Sequence, residues 1–179
     1  MLKTEDTVCV CIDVQEKLVR AMYDKERLIN ALGKLISGMH ELTIPVLITE
    51  QNPHGLGPTI PEISEHCGSS KRITKLSFSC WDTASFQEAL KAYNRRQVVL
   101  AGIEAHVCVY QTAVDLVSAG YRVEVATDCI ASRTEENKQI AMMRMKDAGA
   151  ALTTTEILLF EMIRTAESPR FKRIASIIK

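Results

Sequence analysis

At 179 residues the chain is long enough for one domain, and roughly 70% of the unfolded surface of such a domain can be buried without a disulfide or metal staple. Twenty-two basic residues balance 22 acidic ones, and apolar residues make up 46% of the chain against 25% charged, which excludes disorder and gives no charge bias toward nucleic acid. No apolar run approaches the roughly 18 residues of a membrane span, and the start, Met1 to Asp6, lacks the basic and apolar regions of a signal peptide, so a cytoplasmic protein without a membrane partner is expected.

The first element is a β-rich apolar strand, Thr7–Ile12, that runs into Asp13, Val14 and Gln15. Helical spacing follows over Lys25–Leu42, then a strand at Pro45–Thr49 and a loop rich in Gly and Pro around Gly55 to Pro61. A short strand over Lys71–Lys75 precedes Leu76-Ser77-Phe78-Ser79-Cys80-Trp81, an apolar and aromatic stretch suited to a pocket wall. The spacing then predicts a helix at Thr83–Asn94, a strand at Gln97–Ala101, a helix at Cys108–Ala119 stopped by Gly120 and a strand at Arg122–Ala126. A helix at Thr134–Ala148 stopped by Gly149 and a strand at Ala151–Thr154 follow. Apolar residues recur over Glu156–Ile163, and the tail Ser168–Lys179 reads as a helix lying on the surface or against a partner.

Strands alternating with helices predict an α/β fold: a doubly wound, Rossmann-like three-layer αβα sandwich built on a parallel sheet, spanning residues 1–179 as one domain. Such sheets bind ligands at the carboxyl ends of their strands. No GxGxxG follows the first strand and no Walker lysine follows Gly55-Leu56-Gly57, so no nucleotide cofactor is expected. The six cysteines, Cys9, Cys11, Cys67, Cys80, Cys108 and Cys129, show no CxxC spacing and read as thiols rather than as a disulfide scaffold or a zinc site.

Three residues fall together at strand ends. Cys108 opens a helix, where backbone N–H groups favour a thiolate and can hold a developing oxyanion. Asp13 ends the first strand as the lone acid in an apolar run, and Lys75 ends the third. A carboxylate that accepts the thiol proton beside an ammonium that steadies the charge would activate sulfur without a histidine.

The segments Cys-Ile-Asp-Val-Gln (11–15), Thr-Lys-Leu-Ser-Phe-Ser (74–79) and Ala-Gly-Ile-Glu-Ala-His-Val-Cys-Val (101–109) resemble, in order, the three motifs of the isochorismatase-like cysteine hydrolases. Thr49-Glu50-Gln51, the loop from Gly55 to Glu62, and Asp128-Cys129-Ile130-Ala131-Ser132-Arg133 resemble the isochorismatase-domain-containing branch, and the similarity runs from about Thr7 to Lys179. The resemblance implies a six-stranded parallel sheet, with Asp13 as general base and acid, Lys75 as its electrostatic partner and Cys108 as nucleophile. It also implies a cis peptide between Ile103 and Glu104 that turns the Glu104 N–H toward the oxyanion beside that of Cys108. Homo-oligomers, from dimers to larger rings, are implied as well.

Around that centre Gln15, Gln51, Phe78, Trp81, Ile103 and Tyr110 are the candidate substrate-pocket residues, while Glu104 and His106 read as structural side chains in the preceding loop. Nicotinamidases of the same superfamily bind a metal through an Asp-x-His pair after the second strand. Here the segment reads Thr49-Glu50-Gln51-Asn52-Pro53-His54, so no catalytic metal is expected and His54 reads as a loop residue. The expected function is therefore hydrolysis of a small amide or related acyl compound through a thioester. Isochorismatase- or nicotinamidase-type activity, a non-catalytic binding protein on the same fold, and a thiol sensor pairing Cys108 with Cys80 or Cys129 are the alternatives.

Overall fold

The structure, a computed structural model, describes residues 1–179. Six strands form one sheet: β1 (Thr7–Ile12), β2 (Val46–Gln51), β3 (Lys71–Lys75), β4 (Gln97–Ile103), β5 (Arg122–Ala131) and β6 (Ala151–Thr153). Their order across the sheet is β3-β2-β1-β4-β5-β6, and every neighbouring pair is parallel. The order reverses between β1 and β4, so the crevice at the carboxyl ends of these strands is the topological switch point.

The period of two in a strand explains the layers. In β1, Val8, Val10 and Ile12 face one side, where α5 (Ala84–Ala92), α6 (Tyr110–Ser118) and α7 (Glu135–Asp147) cover the sheet. Cys9 and Cys11 face the other, covered by α2 (Lys25–Glu41), α4 (Pro61–Cys67), α8 (Thr155–Ile163) and α9 (Phe171–Ile178). Both faces of β1 are therefore buried, as its continuous apolar sequence requires. Two short helices, α1 (Glu16–Val19) and α3 (Pro53–Leu56), lie on the loops after β1 and β2.

Several element ends differ from the sequence-based boundaries. β5 runs five residues past Ala126, because its pairing with β4 slips between Leu100 and Gly102 and lets Gly102 and Ile103 pair with Ile130 and Ala131. The polar residues Thr127 and Asp128 break the apolar pattern there without ending the strand. α1, α3 and α4 are too short to show a helical period. Gly120 and Gly149 do stop their helices, with φ of 84° and 102°. The tail forms α9 against its own chain: Ile174 is fully buried with α2 and α8, and the Arg170 guanidinium donates to Glu41 O at 2.6 Å. No helix is long and apolar enough to cross a membrane.

Candidate active site

Asp13 leaves β1 with φ of 51°, a left-handed conformation that Asp tolerates better than most residues. Its carbonyl accepts from the Gln15 N–H at 2.7 Å, and the turn delivers the carboxylate into the switch-point crevice. There the side chain is fully buried. Oδ1 accepts from the Thr49 hydroxyl at 2.7 Å, and Oδ2 lies 2.6 Å from Lys75 Nζ. Among the side chains of the chain Oδ2 is held by the Lys75 ammonium, and a carboxylate oxygen with one such partner keeps lone-pair capacity to take a proton.

Lys75 ends β3 and reaches across β2, beside which it pairs with Gln51. Its ammonium also donates to Ser77 O at 2.9 Å and Phe78 O at 3.0 Å, so its three hydrogens face three acceptors. Both side chains of the Asp13–Lys75 pair are 0% exposed. Burial alone would lower the Lys75 pKa, but the negative charge of Asp13, followed by Cys80 and Cys108, outweighs it and raises the value above 10.5. The loop that supplies the two carbonyls is tied to α6: the Ser79 hydroxyl donates to Asp115, and the Cys80 N–H donates to Thr112 Oγ1 at 2.9 Å.

Cys108 enters from β4. Gly102, with φ of 114°, passes so close to β1 that a Cβ there would lie 2.1 Å from Ile12 O. The Ile103–Glu104 peptide that follows is cis, and the Glu104 N–H donates to no group of the chain. The segment Ala105–Val109 is then a π-helical turn, closed by Val109 N–H donating to Glu104 O at 3.2 Å and continuing into α6. Cys108 is its fourth residue, so the helix opens three residues earlier, and with a wider turn, than the apolar spacing indicated.

The thiol is 3% exposed, and its charge state corrects the expectation of a thiolate. Burial, and then the carboxylate of Asp13, push the Cys108 pKa up to about 12, with Lys75 pulling the other way. Desolvation and a neighbouring anion win over the helix terminus, so at rest sulfur keeps its proton beside an ionic pair.

The remaining candidate residues divide. Gln15 is fully buried and spent on backbone: Nε2 donates to Gln51 O at 3.0 Å and Gly57 O at 2.6 Å, and Oε1 accepts from Gln51 N at 2.7 Å. It staples the rim loops together. Gln51 is half-buried and donates to Leu76 O at 3.2 Å. Phe78 stands 52% exposed on the loop that holds Lys75.

Two pocket assignments are corrected. Trp81 packs its ring 5.8 Å from Tyr121, just before the start of β5 and so at the end of the sheet away from the carboxyl rim, with Lys91 Nζ 5.5 Å over it. Ile103 is fully buried in the core layer opposite the one that holds Cys108, as strand alternation dictates for its side chain. Tyr110 is half-buried with the Arg144 guanidinium 4.6 Å over its ring. Glu104 is paired with Arg133 at 2.8 Å, and His106 shares a 2.9 Å hydrogen bond with Ser132, so both are occupied structurally.

His54 is exposed on α3, and no three His, Cys, Asp or Glu side chains come together to hold a metal. A surface cavity of about 410 Å³ is a polar crevice over the end of β5 between the starts of α2 and α7, and Cys108 does not line it. Cys129 lies in the core layer across the sheet from Cys108, which removes it as a disulfide partner, while Cys80 shares the Cys108 layer. Sequence reasoning missed Thr49. Its only signal was a polar residue at the end of an apolar strand, and the pairing of β2 with β1 puts it opposite Ile12, next to Asp13.

The family model for the isochorismatase domain matches residues 7–157. Isochorismatase domain-containing protein 2 of Xenopus laevis is 35% identical over 177 residues, covering 99% of this chain and 85% of its own length. Among solved structures, the MAR1 ribonuclease of Caenorhabditis elegans superposes with a TM-score of 0.93 at 32% identity, over 99% of this chain and 91% of its own. The Escherichia coli YcaC gene product, described as an octameric hydrolase of unknown specificity, superposes with a TM-score of 0.94 at 25% identity, over 99% and 88% of the two chains. With the family model matching residues 7–157 and a relative 35% identical over 99% of this chain, the chain belongs to the isochorismatase domain family.

Proposed function

We propose that the chain is a cysteine-dependent hydrolase of a small amide or related acyl C–N compound, working through a thioester and without a metal. The observation that carries the proposal is the fully buried Asp13–Lys75 pair at 2.6 Å, whose two charges both act on the Cys108 thiol. Burying a charge pair costs desolvation that a pair of apolar side chains would not, and a buried carboxylate beside a protonated thiol is placed to receive that proton.

In the proposed sequence Cys108 Sγ attacks the substrate carbonyl carbon as its proton passes to Asp13 Oδ2. The oxyanion accepts hydrogen bonds from the backbone N–H groups of Glu104 and Cys108. The C–N bond then breaks, and the leaving amine takes the proton from Asp13. Water attacks the thioester, gives a proton back through Asp13 to sulfur, and the carboxylic acid leaves. Lys75 holds the charge balance as Asp13 gains and loses the proton. Gln51 and Phe78 line the approach in this reading.

The test is a screen of the purified protein against a panel of small amides, with Cys108→Ala as control and intact-mass spectrometry for an acyl adduct. A short RNA oligonucleotide belongs in the panel, because a solved relative carries the name ribonuclease. Turnover lost in Cys108→Ala and an adduct on the wild-type protein are expected, whereas full activity in Cys108→Ala sinks the mechanism. A homo-oligomer is part of the proposal, supported by the octamer described for the Escherichia coli relative. Light scattering on the purified protein checks it.

A further inference from the structure

We propose that Thr49 is a positioning residue that decides which oxygen of Asp13 takes the proton from Cys108, an inference that rests on the hydrolase reading above. Thr49 is fully buried in β2, opposite Ile12, and its backbone carbonyl accepts from the Asp13 N–H at 3.1 Å. Its hydroxyl donates to Asp13 Oδ1 at 2.7 Å. A hydroxyl has one hydrogen, and two neighbours compete for it. The competition is resolved by Cys80, whose Sγ lies 3.8 Å from Thr49 Oγ1 with the thiol as donor. Burial pushes that thiol up to about 11, so near neutral pH it holds its proton and points it at Thr49.

The chain of donors therefore runs one way, from the Cys80 thiol to the Thr49 hydroxyl to Asp13 Oδ1. With Oδ1 occupied, the carboxylate cannot rotate without losing a charge-assisted hydrogen bond, and Oδ2 stays turned to Lys75 as the oxygen left to take the proton. Without the hydroxyl the carboxylate is held by Lys75 alone and can pivot on that contact away from the thiol. The ionisable groups that feel Asp13 are Lys75, Cys108, Cys80 and, within β1, Cys11. None of the last three is charged at neutral pH, so the orientation of Asp13 is left to Thr49 and Lys75.

Thiol chemistry reads this out without a known substrate. Wild type, Thr49→Val and Thr49→Ser are alkylated with iodoacetamide across a pH series, and the rate at Cys108 is followed by peptide mass spectrometry, with thermal melts alongside. Thr49→Val should slow Cys108 alkylation about tenfold or more and displace its pH profile, the loss expected for a hydrogen bond to a charged group. Thr49→Ser, which keeps the hydroxyl, should stay within about twofold of wild type. Should Thr49→Val fail to fold, Thr49→Ala deletes the same hydroxyl and gives the same reading. A hydroxyl-free variant that melts cooperatively yet labels at the wild-type rate with the wild-type profile overturns the role of Thr49 and leaves Cys108 as nucleophile. A wild-type Cys108 that labels no faster than the other five cysteines overturns the hydrolase reading and this inference with it.

Discussion

Replacing Lys75 with Met removes the only cation ion-paired with Asp13 and strands a carboxylate that is 0% exposed. Breaking one partner of a buried pair costs roughly 3–5 kcal/mol, because the remaining charge can recover neither its partner nor its water. The carbonyls of Ser77 and Phe78 lose their Lys75 donor in the same step. For a protein of this size that loss corresponds to a fall in Tm of roughly 6–20 °C, against a total stability of about 5–15 kcal/mol. The informative comparison is a double-mutant cycle with Asp13→Asn. Each single variant leaves one unpaired buried charge and the double variant leaves none, so it should be destabilised by roughly 2–3 kcal/mol less than the sum of the two. The Lys75 pKa is raised, so the contribution of its ammonium is complete below 10.5 and is lost only as pH climbs through the folded value. Urea unfolding at about pH 7, at one protein concentration and with unchanged m-values, measures the cycle. Single variants within about 1 kcal/mol of wild type, or a strictly additive double variant, would show that the pair is not a coupled buried unit.

Two further outcomes follow from the same packing. The buried thiols hold their protons in the folded chain, Cys80 to about 11 and Cys9 and Cys108 to about 12, against an ordinary 9.0. The unfolded chain releases those protons first, so the thiols' contribution to stability should be constant below about pH 9 and fall above it, by up to roughly 1.4 kcal/mol per pH unit for each thiol. Urea midpoints in alkaline buffers check this, and a midpoint independent of pH through about pH 10.5 would contradict the buried, protonated thiols. Gly102→Ala should yield no cooperatively folding protein, because the added Cβ would meet Ile12 O at 2.1 Å and the φ of 114° is open to glycine alone. A Gly102→Ala protein with a wild-type thermal melt by circular dichroism would mean that β1 and β4 do not approach as described.

How far the molecule could be read from its sequence depended on which physical signal each feature carries. The bounds of β1 and β3 were legible to the residue: the continuous apolar run of β1 ends at charged Asp13, and β3, a short segment with Ile73 at its centre, ends at Lys75 before the chain turns. The same charges marked the site, since a doubly wound sheet puts strand ends on one rim. Trp81 and Ile103 were misread as pocket walls because composition says that a side chain is large and apolar but not which way its backbone turns. For Ile103 strand alternation decides, and for Trp81 the packing of its ring on Tyr121 at the start of β5 decides. The π-helical turn at Ala105–Val109 had no signature, because a single residue of extra winding leaves the apolar spacing of α6 intact.

The charge of Cys108 is where placement and environment diverge, and the difference changes the chemistry expected of the site. A thiol at a helix start reads as a thiolate because helix N–H groups stabilise an anion, an effect worth about 1 kcal/mol at an exposed terminus. Here sulfur is buried and faces Asp13, and both influences favour the neutral form strongly enough to carry the pKa to about 12. A preformed thiolate would leave Asp13 with no proton to take. A protonated nucleophile needs a base beside it, and that is the role the proposed mechanism gives Asp13, whose Oδ1 is held by Thr49 and whose Oδ2 faces Lys75. In the proposed mechanism the nucleophile is then made only as the attack proceeds, with the proton moving onto a carboxylate whose orientation the Thr49 proposal assigns to Thr49 and Lys75.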